Sequence, residues 1–232
     1  MTRARVLVAI VLWLAATVGR ADFTTGAAAF VRGDYALALA HWQALAVQGQ
    51  AEAQFNLGVL YDQGLGVAQD HAQAARWYQR AAEQQHAGAQ FNLAELYASG
   101  LGVVQSHVIA ASLYRRAALA GLAEAQFNLG VLYEDGQGVV QDFGEAAHWY
   151  RRAAEQGYAL AQNNLGVLYA NGQGLPMDRV TAFAWYSVAA ARGNAKAAHN
   201  REQIIRLLSP AQQAQGQRLG TEFIRDYGIS AP

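Results

Sequence analysis

The sequence predicts an all-α chain folded as an α-solenoid, a stack of helix-loop-helix units, and three observations lead there. The first is a gapless period of 36 residues: segments 51–86, 87–122, 123–158 and 159–194 align end to end, and the first and third agree at 25 of 36 positions. Self-similarity at this spacing marks a repeat architecture, because one such unit cannot cover its own apolar face and a stack can. The second is the spacing of apolar residues, with Ala53, Leu57, Leu60 and Tyr61 at i, i+4, i+7 and i+8, which is one face of a helix. The third is a glycine pair in every copy: Gly64/Gly66, Gly100/Gly102, Gly136/Gly138 and Gly172/Gly174. Glycine supplies backbone angles that other residues resist, so the first helix of each unit ends there.

In chain order, the N-terminus comes first. Thr2-Arg3-Ala4-Arg5 is a short basic segment, and Val6 to Gly19 is an uncharged apolar run. That run falls short of the ~20 residues needed to span a bilayer. Gly19 and Ala21 stand at −3 and −1 of a cut before Asp22, which fits a secretory signal peptide over residues 1–21. An uncleaved anchor is the other reading of the same segment. Cleavage removes Arg3, Arg5 and Arg20 and leaves 14 cations against 17 anions, a mildly acidic chain with no membrane association of its own, periplasmic or secreted.

Residues 22–50 fit the frame of the repeats read backward, with Asp34 as an N-cap, His41-Trp42 at the place of Trp-Tyr, and Gly49 as a closing glycine. In the repeats themselves, Asp70, Ser106, Asp142 and Asp178 are N-caps of the second helix. Asp70 with Gln73 and Asp142 with Glu145 have the spacing of capping boxes. The second helix carries Ala74, Trp77, Tyr78 and Ala81 on its apolar face, repeated as Ala146, Trp149, Tyr150, Ala153 and as Ala182, Trp185, Tyr186, Ala189. Gly121, Gly157 and Gly193 close three of these helices, whereas Gln85 takes that place in the first copy and predicts a poorer cap. Small residues at position 8 (Gly58, Ala94, Gly130, Gly166) allow close helix approach. Past residue 194 the frame runs through Ala195, Ala197 and Asn200 and then stops. Ser209-Pro210 opens a last helix with Leu219, Phe223 and Ile224 on one side, so 195–232 reads as C-terminal capping helices.

The pattern A-x-A-x-x-x-L-G-x-L-Y-x-x-G-x-G-V-x-x-D followed by A-x-x-W-Y-x-x-A-A-x-x-G resembles the Sel1-like repeat, a relative of the tetratricopeptide repeat with a longer inner loop. It covers 144 of 232 residues. Departures are Ala94 for Gly, Leu113 for Trp, Gln85 for the closing Gly, and Leu175-Pro176-Met177 for Val-x-Gln. Residues 22–50, with a shorter turn, resemble a tetratricopeptide unit. The resemblance implies a right-handed solenoid whose first helices line a concave side, with positions 2, 5, 9, 12 and 13 pointing into it. Position 5 is Phe55, Phe91, Phe127 and Asn163; position 9 is Val59, Glu95, Val131 and Val167; position 6 is Asn56, Asn92, Asn128 and Asn164, continued by Asn200. A row of amides offers donors and acceptors to an extended peptide whatever its sequence, and the Phe row offers apolar pockets beside it. The structural alternative is that Phe is core and Asn serves the neighbouring repeat. A carboxylate clamp of the tetratricopeptide kind is not expected, because positions 2 and 5 carry no Lys or Arg.

Composition narrows the function. With 17 Lys+Arg against 17 Asp+Glu and no Cys, the chain has no cationic footprint for nucleic acid, no disulfide framework, no thiol nucleophile and no Cys-ligated zinc. His71 and His107 share a repeat position, but equivalent positions in stacked helices stand ~8–10 Å apart, whereas two ligands of one zinc each lie ~2.1 Å from it. No nucleotide-loop, nucleophile-elbow or zinc-protease motif occurs, so no catalytic residue, cofactor or metal is assigned. Arg80, Arg116 and Arg152, joined by Arg115 and Arg151, form a stripe on the second helices that reads as a solvated face. The expectation is an exported scaffold for protein–protein or protein–peptide interaction, an adaptor or regulator in the bacterial envelope, of open oligomeric state. A cell-wall or small-molecule binder is the alternative. A hydrolase of the cysteine-rich Sel1 type comes third and lacks its cysteines here.

Overall fold

The computed structural model describes residues 23–227, and among these the only regular elements are helices. The expected leader, residues 1–21, and its cut before Asp22 lie outside the described residues. Helix α1 covers 23–31 and α2 spans Tyr35–Val47. The repeats contribute α3 (Ala51–Gln63) and α4 (His71–Glu83), α5 (Ala87–Ser99) and α6 (His107–Leu119), α7 (Ala123–Asp135) and α8 (Phe143–Glu155), and α9 (Ala159–Asn171) and α10 (Arg179–Ala191). Helices α11 (Ala195–Ile205) and α12 (Pro210–Asp226) follow. The fold is an all-α solenoid of helix-loop-helix repeats. The chain divides into two compact units, residues 1–105 and 106–232, which part the second repeat between α5 and α6. No described helix is long and apolar enough to cross a membrane.

The helix boundaries follow local chemistry. The side chains of Asp70, Ser106, Asp142 and Asp178 each accept from backbone N–H groups in the first turn of the second helix, taking up donors that have no partner within it. Asp34 does the same for α2. At Asp142 the full capping box does not form: Glu145 Oε2 accepts from Trp149 Nε1, one turn further on, at 3.2 Å. The reciprocal box is built at Ser209 and Gln212, where α12 begins. Gly64, Gly100, Gly136 and Gly172 end the first helices in the left-handed conformation. Gln85 holds φ 65° and is the one described non-glycine residue with positive φ. It is forced there by the turn that its counterparts make with glycine.

In the first unit, Trp42 and Leu45 of α2 pack with Leu57 and Leu60 of α3, flanked by Phe30, Tyr35 and Trp77. In the second unit, Tyr150 of α8 packs with Leu165 and Leu168 of α9 and Trp185 of α10, while Phe183 and Tyr186 join Ile204 and Leu208 at the C-terminal end. Each such side chain gains roughly 1.5–3 kcal/mol from leaving water. Inside a repeat the two helices approach at position 8: a methyl at Gly58 would stand 2.5 Å from the Tyr78 ring, and at Gly130 or Gly166 2.7 Å from Tyr150 or Tyr186. Between repeats the contact is tighter still. A Cβ at Gly138 would lie 2.2 Å from the backbone of His107, at the start of the preceding second helix. Helix α12 reaches α10 through buried Gly216 and Gly220, which lie against Phe183 and Ala184, so that Phe223 stacks on Trp185 at 4.2 Å.

Thermal unfolding of Gln85→Gly is expected to show a gain of roughly 0.5–1 kcal/mol, since relief of left-handed strain exceeds the entropy glycine adds to the unfolded chain. Gly138→Ala, with both a positive φ and a backbone clash, is expected to destabilise by several times as much.

Candidate functional site

The rows expected on the first helices come out as a half-buried seam. Phe55 stacks on His86 with ring centroids 4.5 Å apart and lies 6.0 Å from Tyr78. Phe127 packs between Tyr150 at 5.7 Å and Tyr158 at 5.2 Å. Each Phe therefore leans on the junction with the following repeat and keeps part of its ring in solvent. Phe91 is half-buried as well. Val59 is half-buried, Val131 borders the Tyr150 core, Val167 borders the Tyr186 core, and Glu95 is exposed. Asn163, at position 5 of the last repeat, is only 6% exposed. Its amide donates to Asn164 Oδ1 at 3.1 Å and its oxygen accepts from Asn200 Nδ2 at 3.0 Å. An amide in the place of a Phe has to find polar partners, and these two asparagines provide them.

The position-6 asparagines Asn92 and Asn164 reach the preceding repeat. Asn92 Nδ2 donates to the Tyr78 hydroxyl at 3.0 Å, and that hydroxyl faces Asp62 Oδ2 at 3.4 Å. Asp62 Oδ1 also meets His71 Nδ1 at 2.8 Å. In the third repeat the Tyr150 hydroxyl donates to Glu134 and bonds Asn164. Burial raises the pKa of both phenols, Asp62 and Glu134 raise it further, and the asparagines oppose the shift. Tyr186 is pushed up to about 12 by burial alone. Asn56 and Asn128 are half-buried in the same row.

A second polar row was not singled out from the sequence. Gln54, Gln90, Gln126 and Gln162 at position 4 are 4%, 2%, 1% and 0% exposed. Each Nε2 donates to the carbonyl eight residues earlier, at Ala46, Ala82, Ala118 and Ala154, over 3.0 to 3.3 Å. Those carbonyls belong to the last turn of the preceding second helix, and each also accepts a backbone N–H from the turn that follows, at Gly49, Gln85, Gly121 and Gly157, so that the glutamine is its second donor. Gln84 and Gln156 Nε2 in turn donate to Gln54 and Gln126 Oε1 at 2.8 and 2.7 Å. The fourth copy has Arg192 in that place, and Gln162 Oε1 is buried without a partner among the described residues. The signal was present as an invariant Gln inside an apolar face, beside alanines that could not need it.

The arginine stripe is a largely exposed face, as expected, whose guanidinium groups also pack on neighbouring rings. Arg80 lies 4.4 Å over the Trp77 ring and Arg152 5.5 Å over Trp149. Arg115 and Arg151 donate to the hydroxyls of Tyr133 and Tyr169 in the following repeat, the latter at 2.7 Å. Glu83 accepts from Gln79 at 2.8 Å instead of closing on an arginine. Among the described residues no group of three or more His, Asp or Glu is placed to hold a metal ion.

Urea unfolding is expected to separate two glutamines of equal burial. Gln126→Leu removes the side-chain donor to the Ala118 carbonyl, which keeps its backbone partner, and the acceptor of Gln156, at a cost of roughly 1–3 kcal/mol for the two bonds. Gln162→Leu costs less, because it also removes an oxygen that has no partner. A second expectation concerns alkali. Tyr186 holds its proton more tightly folded, at about 12 against 10.0, so its contribution is complete below pH 10 and is lost as pH rises toward 12. Stability measured across that window should fall less steeply in Tyr186→Phe than in the unaltered chain.

The 36-residue pattern has known counterparts. The Sel1 repeat family matches residues 51–86, 87–122, 123–158 and 159–194. A Sel1 repeat protein from Oxalobacter formigenes, of known crystal structure, is 37% identical, with a TM-score of 0.72, over 76% of this chain and 70% of that one. The c5321 protein, a protective antigen of uropathogenic Escherichia coli with an SLR fold, is 30% identical, with a TM-score of 0.58, over 91% of this chain and 55% of its own length. No curated protein of known function matches the sequence.

Proposed function

The chain belongs to the Sel1 repeat family, and from that premise we propose that it is a scaffold that binds a protein or peptide partner along the first helices of its repeats, without chemistry of its own. One observation carries the reading. Positions 5 and 9 are part-exposed apolar pairs on the first helices of the first and third repeats, Phe55 with Val59 and Phe127 with Val131, while Glu95 and the buried Asn163 interrupt the row in the second and fourth. A half-buried aromatic held by its neighbours is a pre-formed contact, because its rotamer entropy is spent on folding and not on binding. The asparagines that brace Tyr78 and Tyr150 keep these helices in register. We place the scaffold outside the cytoplasm, as an adaptor or regulator in the bacterial envelope, on the strength of the leader pattern in residues 1–21.

The test uses a photo-crosslinking amino acid introduced singly at Val59, Val131 or Glu95, with Arg76 and His148 on second helices as controls, in cells that export the protein. Crosslinks to one common partner from the first-helix positions, made by protein beginning at Asp22, are the expected result. Equal yields from the control positions would overturn the assignment of the face, and protein retained inside with Met1 at its start would overturn the location.

A further inference from the structure

Tyr186 breaks the arrangement seen at Tyr78 and Tyr150. In the first and third repeats a carboxylate of the same repeat, Asp62 or Glu134, accepts the phenol hydroxyl. The residue at that place in the fourth repeat is Ala170. The asparagine that should reach the hydroxyl from the next helix, Asn200, donates to Asn163 instead. Tyr186 is 4% exposed, and among the described residues its hydroxyl has no hydrogen-bond partner.

The missing carboxylate leaves room. Ala170, Tyr186 and Asn200 line a recess of about 490 Å³, together with Arg179, Arg206 and Leu207. Asn171, Gln203 and Ile204 complete it, and no acidic side chain lines it. Asp178, next to Arg179 in sequence, is committed to capping α10 through Val180 and Thr181. Two guanidinium groups, an unpaired phenol donor and three side-chain amides thus face one space with no anion among them. Guanidinium and phenol O–H are both suited to a carboxylate, since Arg offers a planar pair of donors and a charge that cannot be lost.

We propose that this recess binds a carboxylate ligand: the carboxylate takes the place that Asp62 and Glu134 occupy in the first and third repeats, accepts the Tyr186 hydroxyl, and is held by Arg179 and Arg206. The carboxylate arrives on an acidic side chain of a peptide or on a free small acid, and the chemistry of capture is the same. The cations come from the start of α10 and the cap that follows α11, not from the first-helix rows. The site therefore stands apart from the scaffold reading.

Calorimetric titration of the full chain with N-acetyl-glutamate methylamide, its glutamine counterpart, succinate and an acidic tripeptide tests this. The glutamate compound should bind and the glutamine compound should not. Tighter binding of the tripeptide assigns the site to a protein partner, and tighter binding of succinate assigns it to a free acid. Ala170→Glu supplies the missing carboxylate from within, so it should abolish binding while leaving the melting temperature unchanged or raised. The pair Arg179→Gln/Arg206→Gln, both exposed, should weaken binding by about tenfold or more and keeps the test open should Ala170→Glu fold poorly. Equal binding of glutamine and glutamate compounds, no binding of any acid, or full affinity in Ala170→Glu would overturn the proposal. Loss of the first-helix crosslinks with acid binding intact counts against the scaffold reading alone, and the converse counts against this site alone.

Discussion

Where the second helix crosses the first in the first, third and fourth repeats, a tyrosine ring lies against a glycine with no room for a methyl group. Tyr78 over Gly58, Tyr150 over Gly130 and Tyr186 over Gly166 set the separation of the two helices. The ring brings a hydroxyl with it, and that hydroxyl emerges at the junction with the next repeat. Its partners there, Asp62 with Asn92 and Glu134 with Asn164, follow from the close approach. Burying a phenol costs least where its polar end is satisfied, as it is at Tyr78 and Tyr150. At Tyr78 and Tyr150 the crossing that compacts the hairpin thus calls for the asparagine that the following repeat supplies.

Most of the architecture was legible because repetition multiplies weak local signals. A single Asp before an apolar run is a modest hint of a helix start; Asp70, Ser106, Asp142 and Asp178 at one interval, each found accepting from its first turn, leave little else for the segment to be. Gln85 was legible for the opposite reason, as a departure, and its φ of 65° is that of the glycines it replaces. The helix-start reading overreached at Glu145, where a tryptophan one turn away competes for the carboxylate. Spacing names the residues able to form a capping box and cannot name what else lies near them.

The candidate face was less legible, since a side chain's row says which way it points and not what waits there. Phe55 and Phe127 lie where the spacing put them, yet His86 and Tyr158, which they lean on, come from the end of the repeat. Asn92 points toward the same face and is drawn to Tyr78. The glutamines at position 4 went unread because an amide in an apolar stripe looks like an ordinary surface residue until the helix end it serves is known. Gly216 and Gly220 fall outside the period altogether, so no repetition announced that α12 would lie against α10. The recess at Tyr186 depends on a residue that is missing, Ala170 in place of a carboxylate, and became meaningful only once Asp62 and Glu134 were seen at work.

The glutamine row also gives the array a direction. Each bond runs from the younger repeat to the older: Gln54 to Ala46, Gln90 to Ala82, Gln126 to Ala118, Gln162 to Ala154. A hairpin just made thus ends in a carbonyl that holds one backbone donor and gains its second from the successor, which is the next segment to leave the ribosome. Growth in the order of synthesis seals every joint one step behind the advancing tip. The chain is built to be laid down like a course of tiles, each overlapping the one before.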